Sequence, residues 1–231
     1  MAMITRICRL SDKQSERHLR IMTWLKEQVS GMPKSKVVIG ICSGGTIRTE
    51  TVGSLFSAVF YVGAKTNEMP NMFLQIGGYV DLNRNKIAEE ALKVKATHLM
   101  FIDGDHTFPE DAIMTLLSHN KDVIGGNYNI RREPLSGAGG SAIKMLVDGK
   151  AVSVLEPPEG LFKCWVVPTG FMLINTKVFK KLKYPYFEAT IDKDGNHTTE
   201  DVDFCQKVHK AGFDIWCDSD IPIGHIGQTM Y

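Results

Sequence analysis

The chain of 231 residues has almost no excess of either charge, with 27 Lys and Arg against 26 Asp and Glu and a formal net charge of +1. It therefore lacks the long-range basic field that draws in nucleic acid or an acidic membrane. Cysteine is sparse. Cys8, Cys42, Cys164, Cys205 and Cys217 are odd in number and scattered, with no Cys-x-x-Cys pair, which argues against a disulfide framework or zinc ribbon and suits reduced thiols in a cytoplasmic setting. No apolar run approaches the ~20 residues of a membrane span, and the N-terminus carries no signal-peptide core. Neither secretion nor membrane integration is expected. Solenoid-period repeats and low-complexity tracts are also missing. At 43% hydrophobic and 23% charged residues, the chain has the composition of one globular domain able to bury a full core.

The hydrophobic pattern alternates between strand and helix. Residues 11 to 30 place Leu19, Met22, Leu25 and Val29 at helical spacing before Gly31 and Pro33, which predicts a helix that packs on the domain or serves a partner surface. Val37 to Cys42 reads as a buried strand, followed by a turn at Ser43, Gly44 and Gly45 and a helix carrying Leu55, Val59 and Val62. Met72 to Ile76 is a second strand. Ile87, Ala88, Ala91, Leu92 and Val94 mark a helix leading into a strand at 99 to 102, and Pro109 opens another helix. This is the signature of an α/β fold. Further strands are expected at Asp122 to Ile130, Ile143 to Val147 and Ala151 to Leu155, the last two joined at Asp148 and Gly149. The second half should thus contain antiparallel pieces.

Asp103, Gly104 and Asp105 follow directly on the apolar run Leu99, Met100, Phe101, Ile102. Two carboxylates at the carboxyl end of a buried strand can hold a divalent cation, and Gly104 leaves room between them for the cation and its phosphate ligands. Asp-x-Asp is also common in turns, so the spacing alone leaves that alternative open. A second acidic group opens the helix expected from Glu200 to Gly212. At about 100° per residue, Asp203 falls with Lys207 and Lys210 on a solvated side, explained by an i, i+4 ion pair. Asp201 shares a stripe with Val202, Cys205 and Val208 and faces inward. It is either the partner of a Thr198 capping box or a general base held ionised by the helix N-terminus. Glu200, at the edge of the stripe, could hold a substrate hydroxyl.

Taken in order, Leu99 to Asp105, Val167 to Phe179 with Thr169 and Gly170, Glu200 to Trp216, and His225 between Gly224 and Gly227 resemble a GT-A glycosyltransferase of the family 2 type. The likeness spans about residues 37 to 228. It implies a Rossmann-like three-layer α/β/α sandwich with a mixed central sheet. The chain would form one domain, with an N-terminal helical extension (1–35), a nucleotide-binding half (36–105) and an acceptor half (106–231). It also implies a UDP- or GDP-sugar donor and a required Mn²⁺ or Mg²⁺. By this resemblance Asp105 and His225 are metal ligands, and Asp103 contacts the ribose or reaches the metal through water. Cys42, Ser43, Gly44 and Gln75 lie near the nucleoside, and Gly170 lines the donor site. Arg84, in Asn83, Arg84, Asn85, faces the diphosphate. Asp201, with Glu200, serves the acceptor. Relatives often carry an Asp after the second strand to read uracil, where this chain has Gln75, Ile76, Gly77 and Gly78.

Phe101 to Pro109 and Asp122 to Tyr128 also resemble mannan-polymerase-type transferases, so both inversion and retention are open. Arg131 and Arg132, before the small-residue run Ser136 to Gly140, are either a solvated loop or a mobile diphosphate loop. Trp165 and Trp216 are core residues or sugar platforms. Two other classes remain. A sugar-phosphate nucleotidylyltransferase is suggested by Ser43 to Arg48, whose spacing departs from a Gly-Gly-x-Gly-Thr-Arg loop, and a carbohydrate-binding module could share the fold. The acceptor is open among glycans, lipids, proteins and modified DNA bases, and so is the oligomeric state.

Overall fold

A computed structural model describes residues 35–130, 140–191, 195 and 197–227. The chain divides into residues 1–34 and residues 35–231. The helix expected over 11 to 30 and the Arg131 and Arg132 loop lie outside the described residues.

Four helices and thirteen strands are described. β1 (Val37–Ser43), α1 (Thr49–Thr66), β2 (Asn71–Ile76), α2 (Val80–Lys93) and β3 (His98–Asp103) form the strand and helix alternation read from the sequence. Then come β4 (His106–Thr107), α3 (Ala112–Ser118), β5 (Val123–Gly126), β6 (Lys144–Val147), β7 (Lys150–Ser153), β8 (Leu161–Cys164) and β9 (Phe171–Asn175). The last elements are β10 (Thr190–Ile191), β11 (His197–Thr198), α4 (Glu200–Lys210), β12 (Ile215–Asp218) and β13 (Gly224–His225). Seven strands make the central sheet in the order β2-β1-β3-β9-β5-β12-β8. β2, β1 and β3 run parallel, β9 is antiparallel to both β3 and β5, and β8 closes the far edge antiparallel to β12. The sheet is therefore mixed, with helices on both faces, a three-layer α/β arrangement.

Side-chain alternation along the buried strands builds the two cores. Val38, Leu99, Phe101, Met172 and Ile174 meet Ile87, Ala88 and Ala91 of α2 and Phe204, Cys205 and Val208 of α4. Val37, Ile39, Ile41, Met100, Ile102 and Leu173 meet Leu55, Ala58 and Val62 of α1 and Ile113 and Leu116 of α3. The β6–β7 hairpin turns at Asp148 and Gly149, both at positive φ, which a tight two-residue turn of this kind requires.

Some expectations are corrected. The strand expected from Asp122 to Ile130 is cut to Val123–Gly126, because the chain then leaves the sheet and buries Tyr128 against His106. Pro109 lies in a turn before the helix, where its carbonyl accepts the amide of Ala112, so α3 starts three residues later than the proline suggests.

His98, at the start of β3, gives a pH prediction. Burial, opposed by Asp122 and assisted by Lys177, lowers its pKa from 6.5 to about 4. The folded state then holds this proton less well than the unfolded chain. The fold is unpenalised above pH 6.5 and loses stability as pH falls toward 4, about 2 kcal/mol of it between pH 7 and 5. Urea unfolding of His98→Gln should show a shallower acid limb than the parent protein; parallel limbs would remove His98 as the cause.

Candidate functional site

The site lies at the carboxyl end of β3. Asp103 follows Leu99 and Phe101 on the face covered by α2 and α4, and register places Gln75, Cys42 and Asp103 in one row across β2, β1 and β3. The nucleoside-side residues expected from the sequence thus share this end of the sheet. Ser43 is committed to its own turn: its hydroxyl donates to the Thr46 carbonyl at 2.7 Å and accepts the Gly45 amide at 3.1 Å. Gly44 is exposed beside it.

Gly104 also packs against the loop after β1. A Cβ there would stand 3.3 Å from the Thr46 carbonyl oxygen and 3.5 Å from Ile47, and the Gly104 carbonyl accepts the Arg48 amide at 2.8 Å. The missing side chain lets the loop after β1 close against the β3 turn.

Asn83, Arg84 and Asn85 are all buried in α2 rather than set on a solvated helix start. Asn85 donates to the carbonyls of Asp81 and Phe187 and accepts the amides of Tyr186 and Phe187, fixing the loop between β9 and β10. Arg84 is committed to two carboxylates. Its guanidinium pairs with Glu200 at the first turn of α4 and lies 3.6 Å from Asp103. Burial alone would lower its pKa, but Asp103 and Glu200 outweigh burial and the net shift is upward. Burial also pushes the neighbouring Cys42 thiol up to about 11, against the pull of Arg84. Arg84 therefore joins the two halves of the site from inside, and its guanidinium is not exposed as a diphosphate contact would be. Glu200 is correspondingly held by Arg84.

The capping-box alternative for Asp201, with Thr198 as N-cap, does not form. The N-cap is Thr199, which makes no side-chain cap bond. Asp201 Oδ1 instead accepts the Thr199 hydroxyl and the Val202 amide, and the charge of Asp201 acts on Arg84 and Tyr128. Asp203 makes the expected i, i+4 pair with Lys207, at 2.6 Å, but its side chain is only 15% exposed, so the pair is not on a solvated face.

Asp105 lies in the turn after β3, and β13 brings His225 to it. β4 and β13 pair antiparallel with His106 opposite His225, and the Ile226 amide donates to the Asp105 carbonyl at 2.9 Å. His225 Nδ1 faces the Asn129 carbonyl at 2.8 Å. That contact assigns the proton to Nδ1 and turns the Nε2 lone pair toward Asp105 Oδ1, 3.7 Å away. His106, absent from the sequence reading, places Nδ1 3.7 Å from the same oxygen. The three candidate ligand atoms lie within 4.8 Å of one another. The two imidazole-to-carboxylate separations are close to the ~3.4 Å between two donors about 2.1 Å from one tetrahedral ion, so these residues fit a metal. Asp103 stands outside this set, with its carboxylate next to Arg84.

Gly170 holds the pieces close. A Cβ there would collide with the Tyr128 hydroxyl, lie 2.7 Å from Asp103 Oδ2 and 2.8 Å from His106 Cε1, so only glycine permits this convergence. The two candidate sugar platforms have other ring partners. Trp165 stacks on His209 at 4.0 Å, and Trp216 lies under Lys121 and Lys163.

No protein-family model matches the chain, and no curated protein matches it. Among solved structures 180 chains match. One is the crystal structure of A197 from STIV, which is 17% identical with a TM-score of 0.59 over 84% of this chain and 86% of that one. At that identity the likeness establishes a shared fold. Among the described residues no helix is long and apolar enough to cross a membrane.

Proposed function

We propose that this chain is a metal-dependent glycosyltransferase that moves a sugar from a nucleotide-diphosphate donor to an acceptor hydroxyl. The observation that carries the reading is the meeting of Asp105 with the distant His225 at the carboxyl end of β3, in the place where open α/β sheets bind nucleotides. Asp105 and His225 would hold Mn²⁺ or Mg²⁺, which when bound neutralises charge on the departing diphosphate. Cys42, Gln75 and Asp103, aligned on the sheet end, are positioned for the nucleoside. Arg84 and Glu200 fix the start of α4 relative to β3, so that Asp201 is presented to the acceptor. In an inverting reaction Asp201 accepts the hydroxyl proton as the oxygen attacks. Four cysteines are unpaired among the described residues, in keeping with a cytoplasmic location.

Calorimetric titration of nucleoside diphosphates with and without Mn²⁺ tests the reading. Asp105→Ala and His225→Ala should each weaken metal-dependent binding about tenfold or more while leaving metal-free binding unchanged. Retained metal dependence in both folded variants would refute the assignment. Incubation with nucleotide sugars separates the alternatives: release of nucleoside diphosphate marks a transferase, and pyrophosphate exchange a nucleotidylyltransferase.

A further inference from the structure

His106 is fully buried, and neither ring nitrogen has a hydrogen-bond partner among the described residues. Leaving buried polar atoms unsatisfied costs about 1–3 kcal/mol, and a phenylalanine would fill the same space without that cost. The ring is clamped in place. It lies 4.2 Å from the Tyr128 ring and stacks 4.7 Å from that of His225, while β4–β13 pairing sets the two histidines directly opposite. Its Nδ1 is as far from Asp105 Oδ1 as His225 Nε2 is, 3.7 Å in each case. Two imidazole nitrogens and one carboxylate oxygen therefore converge on one point.

We infer that His106 is a third protein ligand, and that Asp105, His106 and His225 together hold a first-row transition metal before any nucleotide arrives. The inference rests on the metal-assisted reading of this site and adds to it the class of ion and the order of binding. A site with two protein ligands depends on the donor's phosphates to complete the coordination sphere. A site with three can retain its ion alone. Imidazole nitrogen suits Fe²⁺, Ni²⁺ and Zn²⁺, and the affinity of a mixed nitrogen and oxygen site rises from Mn²⁺ through Fe²⁺ to Co²⁺, whereas Mg²⁺ prefers oxygen and sheds water reluctantly. Of the two ions the sequence resemblance implies, this donor set disfavours Mg²⁺.

The test is titration of the 231-residue chain with Co²⁺ alone, no nucleotide present, read by visible absorption and by paramagnetically shifted proton resonances. Two shifted imidazole N–H signals are expected in the unmutated protein, and about a hundredfold excess of Mg²⁺ should leave them in place. His106→Gln should lose one signal, change the absorption band and bind Co²⁺ about tenfold or more weakly. One shifted imidazole in the unmutated protein overturns the inference whether or not the variant folds, and so does ready displacement by Mg²⁺. The glycosyltransferase reading fails separately. Two imidazole signals in a protein that binds no nucleoside diphosphate would leave a metal centre without the transferase, whereas one signal with intact metal-dependent nucleotide binding would leave the transferase without His106 as ligand.

Discussion

Arg84→Met should destabilise the fold by about 3–5 kcal/mol, the cost of removing one partner from a buried ion pair. Methionine keeps most of the volume in α2, so a cavity contributes little. The loss comes from charge. Glu200 is only 14% exposed and loses its guanidinium, whereas Asp103, at 35%, can turn partly to water, so most of the effect belongs to Glu200. Adding Glu200→Gln to Arg84→Met should therefore recover a large part of the loss, and the double-mutant cycle gives the coupling directly. Arg84→Lys should fall between, because one ammonium cannot present the planar fork that spans two carboxylates. Urea unfolding midpoints of the parent, Arg84→Met, Glu200→Gln, the double variant and Arg84→Lys measure this. If the double variant is no more stable than Arg84→Met alone, burial and packing, not charge pairing, explain Arg84.

The parts of this arrangement visible in the sequence are those carried by local hydrophobic pattern. The continuous apolar runs of β1 and β3 mark strands buried on both faces and so place Asp103 at a buried strand end, and the helical stripe in α4 fixes which of its side chains face inward. Periodicity carries no information on which strand lies beside which. That β9 inserts antiparallel between β3 and β5 follows from long-range packing, and only that insertion brings Gly170 to the Asp103 amide, where its carbonyl accepts at 2.9 Å. Arg84 shows the same limit. Its position near the site was legible, but a guanidinium facing solvent and one closed between carboxylates have the same local sequence. His106 went unread because a single histidine after a turn resembles any strand residue. Its proximity to Asp-x-Asp was the available signal, and its complete burial and its pairing with β13 are tertiary facts. Gly104 is legible as a residue that must lack a Cβ, but that residues 46 and 47 pack against it is a tertiary fact.

Asp201→Asn should lower transfer by a factor of roughly 10²–10⁴ while leaving nucleoside diphosphate affinity within about twofold. Asparagine keeps the shape and can still accept the Val202 amide and the Thr199 hydroxyl that orient Asp201 through Oδ1. It cannot accept a proton from the acceptor. Asp203→Asn is the matched control on the same helix turn: it weakens the Lys207 pair that already occupies its carboxylate, and so costs some stability. Steady-state transfer with a hydrolysable donor, together with calorimetric nucleotide affinity for both variants, separates these roles. Lost transfer in Asp203→Asn with full transfer in Asp201→Asn would reverse the assignment. Equal, near-complete retention in both would mean that neither Asp201 nor Asp203 acts as base. A retaining reaction would then account for the chemistry, because displacement on the donor's own face does not require a carboxylate at the start of α4 to take the acceptor proton.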